Sequence, residues 1–319
     1  MDKSTVAEFK KKQYGVYDHS AVQICSWNKS VLRDLEPCYK QKFYNVNCHR
    51  CMQFSPAAFF CNNACIFCWR PTELMTKNDF KKIKVLEPKE MVENLLEERR
   101  KLLTGFGGRD NINEKKYKEA LLPDHYAISL SGEPMIYPKM AELVKYLREI
   151  KKARSIFIVT NGTCPEILKD MIKKDSLPHQ FYLSLIAPNK ELYENITQNK
   201  NSWKDYNEFI DLFKTIDTRK VVRFTLIKNL NDNDDLIDEY TEIFNRINPD
   251  FIEIKSYMHI GYSQKRLDRV NMPLFSEVQS FTKKLLEKLD TFELANEHSP
   301  SRILVLKNKK TKKELFCFK

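Results

Sequence analysis

The residues best suited to chemistry crowd into one short stretch. In Phe60 to Pro71, "FCNNACIFCWRP", three cysteines fall at positions 61, 65 and 68. Thiolates in threes and fours bind zinc or iron–sulfur clusters. Zinc motifs commonly offer four ligands, as paired CxxC or as CxxC with HxxxH. Here the spacing is C-x3-C-x2-C, and no fourth ligand follows nearby. A four-iron cluster held by three thiolates keeps one iron open for another molecule. A second set stands upstream: Cys25, Cys38 and Cys51 are spaced by thirteen and thirteen, with Cys48 close by. Seven of the nine cysteines lie between Cys25 and Cys68. Core cysteines scatter, as Cys164 and Cys317 do, whereas a cluster points to metal or cofactor ligation.

The elements that must position these thiols follow downstream. Apolar β-branched runs alternate with amphipathic stretches. "HYAISLS" (125–131), "SIFIVTNG" (155–162), "QFYLSLIAP" (180–188), "VVRFTLIKN" (221–229) and "FIEIKSYM" (251–258) read as strands. Helical spacing follows each: in "PKMAELVKYLREIKK" (138–152), Met140, Leu143, Val144, Leu147 and Ile150 share one face. "PKEMVENLLEERRKLL" (88–103) is a helix after a first strand near "QFSPAAFF", and "FEL" and "RILVLKN" offer final strands. Strand–helix repetition means a parallel sheet with right-handed crossovers. About six such units fit an α/β fold of the incomplete (β/α)6 TIM-like barrel type. Ligands then sit at the C-terminal strand ends. The chain divides into a cysteine-rich extension (1–55) packing on the barrel, which is expected to be irregular, a partial barrel (56–290), and C-terminal strands with a basic tail (291–319). The segment 105–124 reads as an exposed, charged loop able to contact substrate.

Bulk properties narrow the classes. The 319 residues are 42% hydrophobic and 12% aromatic, enough for a large core. No apolar run approaches the ~20 residues that cross a bilayer, and the N-terminus has no apolar targeting segment. A soluble cytoplasmic protein is expected, in a reducing compartment that disfavours disulfides. Net charge is +11, which favours an anionic partner such as nucleic acid. Seven glycines, without GxGxxG or GxxxxGK[ST], argue against a phosphate-cradling loop.

The C-x3-C-x2-C motif, with Phe67 before its last cysteine, resembles that of the radical S-adenosylmethionine (SAM) superfamily. "SLSGEP" (129–134) is similar to that superfamily's GGEP stretch, with Ser131 in place of the first glycine. The resemblance implies that the open iron at Cys61, Cys65 and Cys68 chelates the methionyl part of SAM. An electron from the cluster then breaks a carbon–sulfur bond and yields a 5′-deoxyadenosyl radical. It further implies cofactor contacts from Ser131, Gly132 and Glu133, from Asn161 in "VTNGT", and from Ser184 in "SLIAP".

The run from Val22 to Pro71, with "EPCYKQKFY" and "CIFCWRP" its most specific parts, resembles the archaeal 4-demethylwyosine synthases, which act on phenylalanine tRNA. By this resemblance Cys25, Cys38 and Cys51 hold a second 4Fe–4S cluster, and Lys40 forms a Schiff base with pyruvate. An amine beside a cation, or removed from water, has the lowered pKa such an attack needs. Cys48 lies outside the family pattern. The implied reaction condenses N1-methylguanosine, next to the anticodon of tRNA(Phe), with pyruvate into a tricyclic base. Such an enzyme is a radical SAM carbon–carbon lyase. Trp69, Arg70, Lys77, Lys81, Lys82, Lys84 and Arg109 are candidate RNA contacts, while Arg223 and Glu253 either touch cofactor or RNA or pair inside the barrel. The electron is expected from a separate flavodoxin- or ferredoxin-like donor, and the chain is expected to be monomeric. Rival readings are another radical SAM activity, namely methylthiolation or glycyl-radical activation, and a zinc-stapled RNA-binding protein without catalysis.

Overall fold

The computed structural model describes residues 3–76 and 79–318. Its frame is one mixed sheet running in the order β1 (Tyr14–Tyr17), β2 (Ser20–Gln23), β3 (Cys51–Ser55), β4 (His125–Ile128), β5 (Ser155–Thr160), β6 (Gln180–Leu185), β7 (Arg219–Leu226), β8 (Phe251–Ser256), then the last strand β10 (Ile303–Asn308), with β9 (Phe292–His298) outermost. From β3 to β8 every neighbour is parallel. These six parallel strands form the centre of the sheet. Antiparallel strands extend both flanks, β1–β2 beside β3 and β10–β9 beside β8.

The parallel strands are apolar on both faces, as strands covered on two sides must be. On the outer face Met52, Phe54, Ile128, Ile156, Ile158, Phe181, Leu183, Phe224 and Ile254 meet the crossover helices in one large core. On the inner face Phe157, Tyr182, Val221 and Phe251 pack under Tyr39, Phe43 and Tyr44 of the short helix Tyr39–Tyr44. That helix plugs the N-terminal half of the sheet's inner face. Further along the same face the strands stay partly open at Val159, Ser184, Arg223, Thr225 and Lys255. The plug and the alternation therefore confine accessible inner-face chemistry to the C-terminal half of the strands.

Two stretches differ from the sequence expectation. Residues 1–55 are not irregular: they hold a helix (Lys3–Lys11), the β1–β2 hairpin, helices Ser26–Val31 and Tyr39–Tyr44, and the whole of β3, the first parallel strand. Their signal is weak because each element is only four to nine residues long and is stabilised by docking on the sheet edge. Segment 105–124 is not simply an exposed loop. It contains the helix Glu114–Ala120, capped by the Asn113 side chain on Lys116 N. Its apolar residues Ile112, Tyr117, Ala120 and Leu121 cluster with Ile24 and Leu32. Among the described residues, no helix is long and apolar enough to cross a membrane.

Candidate active site

The first thiol loop leaves β3 and is held by backbone bonds and by side chains that mostly bond its carbonyls. Ala64 N and Ile66 N donate to the carbonyls of Thr197 and Ile196, and Glu133 N donates to Phe60 O at 2.7 Å. The Ser131 hydroxyl donates to Ala58 O at 2.9 Å. Gly132 sits at φ +69°, and a Cβ there would overlap the carbonyl oxygens of Ala57 and Phe60. Only glycine tolerates both that dihedral and that approach. Asn199 Nδ2 ties down Asn62 O and Asn63 Oδ1. On the far side, Tyr262 N donates to Trp69 O, and Arg266 donates to Cys68 O, Thr72 and Glu73. The loop is thus fixed at both ends and in the middle.

Within it the Cys65 thiol feels Cys61 and Cys68, and burial with that company pushes it well up. Burial also raises Cys61, with the Glu133 carboxyl adding to the effect, and raises Cys68. Three neutral thiols, close-set and half-buried, lose their protons when a metal binds. Asn161 Nδ2 reaches Cys61 Sγ at 3.8 Å, and its Oδ1 is taken by Thr163. Glu133 accepts from Thr160 Oγ1 (2.6 Å), Asn161 N (2.7 Å) and Met135 N (3.0 Å). Burial nonetheless lifts its carboxyl to about 7. Ser184 stands across from Arg223 on β7 and is half-buried. Ser131, Gly132, Glu133, Asn161 and Ser184 therefore all lie in or just after strands β4, β5 and β6. The donor set and the glycine cradle fit a 4Fe–4S cluster at Cys61, Cys65 and Cys68.

The second triplet is assembled from three elements. Cys25 and Cys38 are the N-caps of helices Ser26–Val31 and Tyr39–Tyr44, and Cys51 opens β3. Cys25 Sγ accepts from Asn28 N at 3.3 Å. Burial drives Cys25 up to about 12, with Cys38 and Cys51 next in effect, and burial raises Cys51 as well. Cys38 moves the other way: hydrogen bonding from the Cys48 thiol lowers it. Behind the triplet lies Arg99, 1% exposed, on the helix Pro88–Thr104. Its Nε and Nη2 donate to Ala120 O, and Nη2 also to His49 O, while Nη1 is buried without a partner. Its electrostatic partners are Cys51 and Cys25. A buried guanidinium without a carboxylate calls for a compensating negative charge. Thiolates around a cluster supply one, so this site too fits an iron–sulfur group.

Lys40 lies beside that triplet on the inner face. Its Nζ is 5.0 Å from the Phe157 ring centre and 5.2 Å from that of Tyr182. It makes no ion pair among the described residues. Burial lowers its pKa, followed by the neighbouring Arg223, against Cys51, Cys38 and Glu253. Glu253, fully buried, accepts from Tyr44 Oη (2.5 Å), Arg223 Nε (2.9 Å) and Tyr182 Oη (3.2 Å). Arg223 and Glu253 are thus paired inside the sheet. Lys255, two residues beyond Glu253, is lowered by burial to about 8.

Sequence reading missed Arg99 and Lys255. Arg99 looked like one more charge on an amphipathic helix, and Lys255 sits inside an apolar run where the inward alternation was its only signal. The surface candidates divide. Trp69 is 44% exposed, but Arg70 is 4% exposed, stacked on the Trp69 ring and bonded to Tyr14 and Gln23. Arg70 therefore shapes the loop from within instead of reaching an RNA. Lys82, Lys84 and Arg109 are exposed. Lys77 and the side chain of Lys81 lie outside the described residues.

Residues 56–240 match the model of the radical SAM superfamily, and the six-stranded α/β sheet with a three-thiol loop after its first parallel strand is that superfamily's fold. Membership brings SAM and one 4Fe–4S cluster. Residues 246–308 match a model described as wyosine base formation. A SAM-dependent tRNA 4-demethylwyosine synthase of Pyrococcus abyssi is 40% identical over 301 residues, 93% of this chain and 86% of that one. Its counterpart in Methanocaldococcus jannaschii is 37% identical over 95% of each chain. A solved structure of TYW1 with a lysine-pyruvate adduct bound superposes with a TM-score of 0.87 at 33% identity, covering 99% of both chains. The chain belongs to the tRNA 4-demethylwyosine synthase family of radical SAM enzymes.

Proposed function

We propose that this enzyme joins the N1-methyl carbon of a guanosine beside the anticodon of tRNA(Phe) to pyruvate and closes the tricyclic base, acting as a carbon–carbon lyase because the pyruvate carboxyl carbon is lost. One observation carries the reading. Lys40, half-buried and without an ion pair among the described residues, lies beside the second thiol triplet on the inner face that also carries Asn161 and Ser184. The relative with a lysine-pyruvate adduct supports it.

Cys61, Cys65 and Cys68 would hold the 4Fe–4S cluster, which when bound would supply one-electron reduction of SAM and so the radical chemistry on the methyl group. This chain's residues do the rest. The backbone at Ser131–Glu133, with Asn161 and Ser184, would hold SAM beside that cluster. Lys40 condenses with the pyruvate carbonyl. Cys25, Cys38 and Cys51 hold a second cluster beside it. The Tyr39–Tyr44 plug closes the inner face below and keeps water from the reacting atoms. The guanine leaves its stack to enter, while Trp69, Lys82, Lys84 and Arg109 hold the RNA outside. A separate donor reduces the clusters, and the chain works as a monomer in the cytoplasm.

Iron and acid-labile sulfide counted after anaerobic reconstitution test the second cluster. About eight irons, four per thiolate-held cluster, are expected. About four, all lost in Cys61→Ala, would return the upstream cysteines to a structural or zinc-binding role and remove the main support for pyruvate chemistry.

A further inference from the structure

Arg223 carries a guanidinium that the protein pairs only in part. It lies mid-strand on β7, in register with Ser184 on one side and Glu253 on the other. Its Nε donates to Glu253 Oε2 at 2.9 Å and its Nη2 to Tyr39 Oη at 2.6 Å. The third nitrogen, Nη1, has no partner among the described residues. The side chain keeps 20% of its surface open, although Glu253 behind it is fully buried. The guanidinium lies 4.6 Å from the centre of the Tyr182 ring, the same ring that Lys40 Nζ approaches at 5.2 Å. The lysine and the guanidinium therefore share one aromatic wall. Tyr39, which holds Nη2, is the residue before Lys40.

The charge balance points the same way. Arg223, Lys40 and Lys255 converge on one inner-face patch, and Glu253 is the carboxylate that meets them. Glu253 is already committed to Arg223 and to the hydroxyls of Tyr44 and Tyr182. Lys255 Nζ is committed to Ser301 O at 2.8 Å. That leaves Nη1 of Arg223 unpaired among the described residues, on a side chain that approaches the same Tyr182 ring as Lys40 Nζ. A 2-oxo acid has a carboxylate one bond from the carbonyl carbon that the amine attacks. Planar guanidinium recognition of that carboxylate is what an arginine, unlike a lysine, provides.

We propose that Arg223 binds the carboxylate of the 2-oxo acid held at Lys40 and is the residue that selects a 2-oxo acid over a neutral carbonyl compound. The inference rests on the Lys40 reading above. In the step itself the Lys40 amine adds to the ketone carbon, and the resulting carbinolamine loses water to give the imine. The carboxylate takes no part in bond making and stays against Arg223. Arg223 is fixed by Glu253 and Tyr39 before the substrate arrives, so little side-chain order is lost on binding.

The test uses the reconstituted protein with cyanoborohydride, which reduces the imine to a stable lysine adduct read by intact mass. Pyruvate and its methyl ester are compared, since the ester keeps the ketone and loses the charge. In the wild type, pyruvate should reach half-saturation at far lower concentration than the ester, and peptide mapping should place the adduct on Lys40. Arg223→Gln should raise the pyruvate half-saturation about tenfold or more, the ratio one charge-assisted hydrogen bond supplies, and move the ester much less. Arg223→Lys keeps the charge without the fork and should fall between, which also covers a poorly folding Arg223→Gln. An equal rise for acid and ester would overturn the proposal, because Arg223 would then only shape the pocket. A wild type that traps neither compound would remove the Lys40 reading, and this inference with it. Trapping that is unchanged in both variants would remove this inference alone.

Discussion

The two thiol triplets have the same number of donors and opposite construction. Cys61, Cys65 and Cys68 share one loop, set by backbone hydrogen bonds and a glycine cradle. Cys25, Cys38 and Cys51 come from two helix N-caps and the first residue of a strand. Their electrostatic surroundings differ as well. The first triplet has the Glu133 carboxyl beside Cys61, and Arg266 near Cys65 and Cys68. The second has Arg99 near Cys25 and Cys51, Lys40 near Cys38 and Cys51, and Lys255 near Cys38. Positive surroundings favour the more reduced, more negative cluster. At the first site Glu133 and Arg266 act in opposite directions, whereas on the proposed reading the three cations around the second triplet would stabilise a negatively charged cluster next to Lys40.

The largest effects should separate the triplets by task. Cys61→Ala is expected to abolish SAM cleavage, read as 5′-deoxyadenosine formed under reductant, because its cluster loses one of three ligands. Cys38→Ala should retain part of that cleavage, uncoupled, while formation of the tricyclic base stops. Equal loss of both products in both variants would break the division of labour.

Next in size is a change that touches one triplet through backbone alone. Gly132→Ala places a Cβ at a left-handed dihedral, which costs about 1–2 kcal/mol by itself, and against two carbonyl oxygens besides. Helix and strand content should persist. The melting temperature should fall by several degrees, at about 2–4 °C per kcal/mol for a chain of this size. About half of the reconstituted iron should be lost, all of it from the Cys61 site. Loss divided evenly between the sites would show that the cradle serves the whole fold.

The same contrast explains what could be read from sequence. The first triplet is local, so C-x3-C-x2-C announces it. The strand–helix rhythm is carried by residues whose burial is dictated by period, and β4 to β8 fall where the apolar runs stand. The second triplet spans 27 residues, from Cys25 to Cys51, and spacing alone does not show that it converges. Only its resemblance to a known pattern linked those cysteines. Arg99 and Lys255 act on it from a helix and a strand about 50 and 200 residues further on, and nothing local marks them. The β1–β2 hairpin was equally silent, since four-residue strands at a sheet edge owe their stability to the neighbour they dock on.

Arg99→Gln sharpens the electrostatic half of the comparison. Iron content should not change, because Arg99 touches no ligand position in the backbone. The midpoint potential of the second cluster should drop by on the order of tens of millivolts as a buried cation is removed, while the first stays put. A redox titration followed by electron paramagnetic resonance separates the two. A shift in both, or in neither, would deny Arg99 its assigned place.

The smallest expected effect concerns Cys48, the spare thiol. It is 4% exposed, its N donates to Gln41 Oε1 at 3.3 Å, and its side chain is hydrogen-bonded to that of Cys38. The pair splits: Cys48 is pushed well above the usual thiol range, first by that hydrogen bond and then by burial, and Cys38 is lowered. Those directions suit Cys38 as the ligand and Cys48 as a donor to its sulfur. Cys48→Ala should then leave the iron count unchanged and move the second cluster's potential slightly downward, because one hydrogen bond to a ligand sulfur is lost. If Cys48 were a ligand in place of Cys38, the same variant would lose about half the iron and Cys38→Ala would not. The two cysteines are ten residues apart, so this pair of variants decides which sulfur holds the metal.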